Sequence, residues 1–153
     1  YAQEAQAAVK AFGESGGEGR SGVAAEARAI VEFVLAFHRA RAGLIRALLL
    51  EARLRPGGRV AERVRRMKAL PPTLERRILA HRAEIAHPEP ARAVAEGFFV
   101  VVSAVRERVV FGNEGPGGPD AAFAELLTSA WLAILGAARG GRARAGSGAL
   151  YSS

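Results

Sequence analysis

The chain of 153 residues is half hydrophobic, contains no cysteine and carries a formal net charge of +7. Its length suits one domain with a real core, and the lack of cysteine excludes disulfides and thiolate metal sites. The uninterrupted apolar runs are too short to span a membrane. We therefore expect a cytoplasmic protein with no membrane partner.

Arginine supplies nearly all of the positive charge, because Lys10 and Lys68 are the only lysines. A basic chain suggests contact with nucleic acid. The alternative is that arginine stems cover a helical core while their charged ends stay in water.

Alanine, leucine, arginine and glutamate dominate the chain, which predicts an almost entirely helical fold. The first predicted helix spans residues 1–12, and the glycine-rich residues 13–22 form a loop. A long helix is predicted over 23–55, with a bend near Gly43. Proline and glycine at 56–58 end it.

Further helices are separated by proline and glycine breaks in the second half of the chain. The fold class predicted from this order is all-α, an antiparallel bundle of about six helices. We predict the remaining helices at 59–69, 73–86, 90–111 and 121–138, with a loop at 112–120 and a poorly ordered tail at 139–153.

The last two predicted helices are apolar on more than one face, which one small domain does not easily cover. Small residues on both helices would let their backbones approach closely. We predict that these helices pair with those of a second copy as a four-helix bundle across a two-fold axis; a hairpin buried in a monomer is the alternative. The predicted interface residues are Gly97, Val101, Ala104, Val105, Phe123, Leu127, Ala130 and Ile134.

The chain resembles the C-terminal ligand-binding and dimerisation domain of TetR-type transcriptional regulators over most of residues 1–138. Three stretches carry the resemblance: RARAGLIRALLLEARLRPG, AEIAHPEPARAVAEGFFVVVSAVRERVVFG and DAAFAELLTSAWLAIL. Its best marker is VRERVVFG, a helix that ends in Phe-Gly before a loop and a final apolar helix. The resemblance rests on the order of the helices and the positions of the breaks between them, since none of the three stretches has a chemical signature.

The resemblance implies a homodimeric regulator, expected to be a repressor, in which a small apolar molecule controls binding to operator DNA. Residues 1–12 would then end a helix from an N-terminal helix-turn-helix domain outside this sequence. Residues 23–138 would form the regulatory domain, and 139–153 a flexible tail. A basic nucleic-acid-binding module and a dimerisation domain without ligand remain as alternatives.

The ligand that the resemblance implies would bind in a cavity among the predicted helices at 23–55, 59–69, 73–86 and 90–111. Such pockets are mostly apolar with few polar anchors. His81 is the candidate anchor, although a partly exposed histidine is the alternative. For each wall residue the alternative is ordinary core packing. The candidate residues are Phe33, Phe37, Met67, Leu70, Leu74, Ile78, His81, Phe98, Phe99, Val102 and Trp131.

The sequence offers little support for catalysis, a cofactor or a metal. GEGRSG at 17–22 matches GxGxxG, but a helix precedes it where a dinucleotide site needs a strand, so it is interpreted as a linker. His38, His81 and His87 lack the spacing of a metal site. We expect no enzymatic activity, no cofactor and no metal.

Arginines recur within the long predicted helix, with Arg39, Arg46 and Arg53 seven residues apart. This spacing puts them on one face of the helix, which we predict to be exposed to solvent, opposite Leu44, Ile45 and Leu48 on the side of the core. The alternative is a continuous phosphate-binding patch. No aromatic residues that could stack on bases lie between these arginines, which argues against that alternative. That patch would also contain Arg55, Arg59, Arg63, Arg65 and Arg66.

Overall fold

The computed structural model describes residues 2–14, 22–67, 70–112 and 120–137. These residues form seven α-helices and no β-strand, which confirms the all-α prediction. They also contain a 3-10 helix (Arg82–Glu84) and a π-helix (Arg106–Val110). The α-helices are α1 (Ala2–Glu14), α2 (Val23–Ala40), α3 (Ala42–Leu54), α4 (Arg59–Met67), α5 (Pro72–Leu79), α6 (Pro90–Val105) and α7 (Asp120–Leu135). The predicted tail and most of the predicted 13–22 loop lie outside the described residues.

The predicted helix over 23–55 is two helices, and the break at Arg41 lies two residues before Gly43, near which a bend was predicted. Arg41 has φ −132° and ψ 19°, and its N–H donates to the carbonyl of His38 at 3.2 Å. Its guanidinium carbon lies 4.5 Å from the centre of the Phe37 ring. Arg41 thus folds back on the last turn of α2, and the chain changes direction there.

The predicted helix over 73–86 is also interrupted, since α5 ends at Leu79 and a 3-10 helix follows. The carboxylate of Glu84, the last residue of that 3-10 helix, accepts a hydrogen bond from the N–H of Val23 at 3.1 Å. The first N–H groups of a helix have no partner within it and attract negative charge. Glu84 therefore caps α2 from a segment 61 residues away.

The final helix ends at Leu135, short of the predicted end at residue 138, because Gly136 has φ +64°. The N–H of Gly136 donates to the carbonyl of Ala133 at 3.1 Å, and that of Ala137 donates to Leu132 at 3.0 Å. This pair of bonds is a Schellman motif, which favours glycine at the left-handed position.

The core lies where α2, α5, α6 and α7 meet, and Trp131 of α7 is completely buried at its centre. A Cβ added to Gly97 of α6 would lie 1.9 Å from Cδ1 of Trp131. The indole therefore occupies the space that any larger residue at position 97 would need. This contact sets how closely α6 and α7 approach.

We predict that Gly97→Ala lowers the free energy of unfolding by about 1–3 kcal/mol, because the indole must move out of a well-packed site. The matched control is Gly43→Ala on α3, where an added Cβ meets no atom within 4 Å. Alanine favours a helix over glycine, so this control should gain about 0.5–1 kcal/mol. Urea denaturation measures both, and equal shifts would contradict the Trp131 contact.

Candidate functional site

Several of the predicted ligand-wall residues share one apolar cluster. Leu74 and Ile78 of α5, Phe98 and Val102 of α6, and Trp131 of α7 are all buried in it. Two of the other predicted wall residues, Phe33 and Leu70, are half-buried against the same cluster. The structure thus brings most of the predicted wall residues together in the core.

Three predicted wall residues stand apart from this cluster. Phe99 is 55% exposed on the outward side of α6. Phe37 is half-buried on α2, beside Phe33. Met67 is the last residue of α4, and its side chain lies outside the described part of the structure.

The buried indole of Trp131 has an Nε1–H with no hydrogen-bond partner among the described residues. Its ring centre lies 6.3 Å from that of Phe98. A buried N–H without a partner costs free energy. A Cβ added to Gly97 would lie 2.2 Å from this nitrogen, so Nε1 packs directly against the backbone of α6.

An aromatic row joins α1 to α2. The rings of Phe12 and Phe33 stack with centres 4.5 Å apart, and Phe33 lies 6.1 Å from Phe37. The guanidinium carbons of Arg77 and Arg41 lie 4.4 Å and 4.5 Å from the rings at the two ends, Phe12 and Phe37. The four-residue spacing of Phe33 and Phe37 indicates their shared face, but no sequence pattern connects them to Phe12.

Arg77 links three helices. Its Nε donates to the carboxylate of Glu26 on α2, and its Nη1 donates to the carbonyl of Phe12 on α1 at 2.6 Å. The two charged side chains are 12% and 5% exposed, so the pair is shielded from water. The carbonyl of Phe12 belongs to the last turn of α1, where helical partners are missing. Arg77 therefore fixes the end of α1 to α5 and α2.

Sequence reasoning missed this ion pair. Glu26 lies four residues before Ile30, on the inward face of α2, and both residues are buried. A carboxylate on an apolar face needs a buried partner. That position was the available signal, although it does not identify Arg77, 51 residues away, as the partner.

The predicted polar anchor, His81, faces Glu84 rather than a cavity. Its Nδ1 lies 3.3 Å from Oε1 of Glu84, whose other oxygen caps α2. His81 is half-buried. In this position it supports the cap of α2.

A different histidine, His38, is buried on α2. Its Nδ1–H donates to the carbonyl of Val34 at 2.8 Å. Burial lowers the pKa of His38 below its ordinary value; the bond to Val34 opposes this shift, and the positive charge of Arg106 adds to it. His38 is therefore held neutral near pH 7.

Two of the arginines predicted to face solvent bind the segments on either side of residues 113–119. Arg39 pairs with the carboxylate of Asp120, the first residue of α7. Arg46 donates from Nε to the carbonyl of Val110 at 2.6 Å, at the end of the π-helix. Of the side chains predicted to lie opposite these arginines, Ile45 is buried, whereas Leu44 is 46% exposed. The prediction for Leu44 was wrong because the break at Arg41 rotates α3 relative to α2.

A shallow cleft of about 220 Å³ lies beside the pair of Arg39 and Asp120, between α2 and α7. Its walls come from helix faces that contain both charged and small residues, so it is not the apolar pocket predicted. The cleft is lined by Glu32, Leu35, Ala36, Arg39, Asp120, Ala121 and Ala124.

Most of the predicted dimer residues face the core of their own chain. The five that are buried are Gly97, Val101, Val105, Phe123 and Leu127. The other three, Ala104, Ala130 and Ile134, are half-buried. The outward sides of the two helices carry a different set of residues.

The outward side of α7 carries a row of small and apolar residues, with the exposed Glu125 beside it. Ala122, Leu126, Ser129 and Ala133 follow one another at steps of four, three and four, and each is exposed or half-buried. The neighbouring helix α6 exposes Phe99 by 55% and Val100 by 40%. A helix surface of this spacing suits packing against another helix.

Within the described residues, no group of three or more His, Cys, Asp or Glu side chains is placed to hold a metal ion. None of the helices described is both long and apolar enough to cross a bilayer. Comparisons with protein-family models, curated proteins and solved structures find no match for this chain.

We predict that Arg77→Met destabilises the fold by about 3–5 kcal/mol, because it leaves the carboxylate of Glu26 buried without its partner. Adding Glu26→Gln should restore part of the loss. Arg28→Met is the control, since its pair with Glu32 is exposed and should matter little. Thermal or urea unfolding tests this, and a loss no larger than that of the control would contradict the buried pair.

We predict that stability falls as the pH drops below about 6.5, the ordinary pKa of histidine. The unfolded chain binds a proton at His38 at a higher pH than the folded chain does, because burial lowers the folded pKa. The contribution of His38 to stability is therefore fully present above about pH 6.5 and is lost as the pH falls through the lower pKa of the folded state. Urea denaturation between pH 7.5 and 5 should show a shallower slope for His38→Gln than for His87→Gln; equal slopes would contradict the assignment.

Proposed function

We propose that this chain is the ligand-binding and dimerisation domain of a TetR-type transcriptional regulator, a repressor acting in the cytoplasm. The observation that carries the proposal is the pair of helices α6 and α7. One side of each helix packs in the core, and the other exposes small and apolar residues next to a few charged ones, namely Arg92 and Glu96 on α6 and Glu125 on α7. The helix order and the positions of the breaks support the same assignment.

Dimerisation through α6 and α7 accounts for the outward row on α7. The only charged residues of α7 are Asp120 and Glu125, and neither belongs to the row. Two copies related by a two-fold axis would place the row against itself, since such an interface uses the same patch twice. A four-helix bundle of this kind would also cover Phe99 and Leu126, which are exposed by 55% and 50% in the single chain.

The proposed ligand is a small apolar molecule that enters the cluster between α2, α5 and α6. Leu74, Ile78 and Val102 would contact it, and the half-buried Phe33 and Leu70 mark the side from which the cluster can be reached.

The proposed mechanism is a shift between two arrangements of α5. A guest beside Leu74 and Ile78 favours an arrangement in which α5 moves, and Arg77 transmits the movement to the end of α1. In a full-length dimer, α1 would connect to the helix-turn-helix domains, whose spacing must match the half-sites on operator DNA. The ligand would thereby release the repressor.

We predict that the chain sediments as a dimer at micromolar concentration and that Leu126→Asp makes it a monomer with unchanged helix content. The variant buries a charge against the second copy, which costs more than an exposed substitution. Leu54→Ser, on the exposed face of α3, is the control and should remain dimeric. A wild-type chain that sediments as a folded monomer would overturn the proposal.

A fluorescence experiment on the same protein distinguishes a ligand-binding domain from a dimerisation domain that binds no ligand. Trp131 is the single tryptophan, so its emission reports on the core alone. Naphthol, indole and decanoic acid are suitable first probes, because each joins an apolar body to a polar atom. A saturable change in emission that is lost in Val102→Phe supports the pocket; a dimer whose emission no probe changes is the ligand-free alternative.

A further inference from the structure

Helix α3 presents an exposed apolar face that the proposed dimer does not use. Of the seven exposed large hydrophobic residues in the described part of the chain, three lie on α3. Leu44, Leu50 and Leu54 are exposed by 46%, 50% and 79%. The only buried residue of α3 is Ile45. Helix α3 is therefore attached to the core along one side and open on the other.

The open side of α3 has the spacing of a two-helix seam. Gly43, Ala47, Leu50 and Leu54 are all exposed and follow one another at steps of four, three and four. This spacing is that of paired helices, and the exposed Leu44 extends the apolar surface on one side of the row. We call these four residues the α3 row.

Positive charge runs along one edge of the α3 row. Arg46 and Arg53 each precede a row residue and are seven residues apart in exposed positions, although Arg46 also donates from Nε to the carbonyl of Val110. In a heptad whose core positions are the α3 row, they occupy position g, which selects the charge of the partner helix. The one acid beside the row, Glu51, already accepts a hydrogen bond from Arg55 at 2.8 Å.

The net charge of the chain falls in the segment of the sequence that contains this row. Residues 39–66 contain nine arginines and two glutamates, a net charge of +7 that equals that of the whole chain. The remainder of the sequence is balanced. The charge thus marks one part of the sequence rather than the whole of it.

We propose that α3 binds an amphipathic helix of a partner protein that has leucine-like residues at helical core spacing and Asp or Glu along its flank. The apolar residues would cover Leu50 and Leu54, and the acids would face Arg46 and Arg53. A second copy fits less well because it would bring the same +7 segment against this one. Nucleic acid would satisfy the arginines but leave the leucines in water.

The α3 row limits the partner's length and affinity. A helix of 13 residues is about 20 Å long, so the contact spans fewer than two heptads. Burial of two part-exposed leucines and two charge contacts suits a weak, transient complex with a Kd of roughly 0.1–1 mM. The partner segment therefore needs only about four helical turns.

The probe is a labelled synthetic helical peptide of 21 residues, with Leu at the core positions and Glu at the flanking positions. Its matched control has Lys in place of Glu. Fluorescence anisotropy should show binding of the Glu peptide with a Kd of roughly 0.1–1 mM and binding at least about tenfold weaker for the Lys peptide. The paired substitution Leu50→Ser and Leu54→Ser should weaken binding of the Glu peptide by about tenfold or more.

Two further variants make the test specific. Arg53→Glu alters an exposed side chain, and it should weaken the Glu peptide while strengthening the Lys peptide. Leu126→Ser on α7 should leave peptide binding unchanged even if it dissociates the dimer, so the two proposals can fail separately. Circular dichroism confirms that each variant keeps its helix content.

Four results would overturn the proposal. Equal affinity for the two peptides would exclude charge selection, and unchanged binding after the leucine substitutions would exclude the α3 row. Tighter binding to duplex DNA or to phosphatidylglycerol vesicles than to the Glu peptide would assign the surface to another partner. Self-association that the leucine substitutions abolish would assign it to a second copy.

Discussion

The packing of Trp131 against Gly97 determines which way α6 and α7 face. Both helices are apolar on more than one side, so hydrophobicity alone does not choose the side that turns inward. The indole fits only where α6 lacks a side chain, and a Cβ there would lie 1.9 Å from Cδ1. With that contact made, Val101 and Leu127 are buried, and Leu126 and Phe99 are left outside. The proposed core pocket and the proposed dimer surface both follow from it.

Much of the fold could be predicted from the sequence, since helix breaks depend on local chemistry. The proline and glycine positions separate α3 from α4 and α4 from α5, and the inward set Ala27, Ile30 and Val34 follows from helical spacing. The bend predicted near Gly43 is a complete break at Arg41, and neither its exact position nor its sharpness was predictable in this way. The break depends on a stacking contact and a single hydrogen bond, and arginine is otherwise a good helix former.

The candidate site was predicted less completely than the fold. Apolar spacing identified Leu74, Ile78, Phe98 and Trp131 as neighbours, and the structure puts them in one cluster. It also assigned the inner sides of α6 and α7 to the dimer, because the two sides of each helix look alike without Gly97 and Trp131 in three dimensions. The polar contacts were missed because their partners are far apart in sequence: Val23 with Glu84, and Glu26 with Arg77.

Arg77 bonds to a carboxylate and a backbone carbonyl and stacks on an aromatic ring with one planar group. These three interactions share a single rigid guanidinium, so they cannot be broken one after another at small cost. A modest tilt of α5 would strain all of them together, and only a larger displacement would release them. The junction between α1 and the rest of the chain should therefore stay closed under small displacements of α5 and open in one step under a larger one, rather than open gradually.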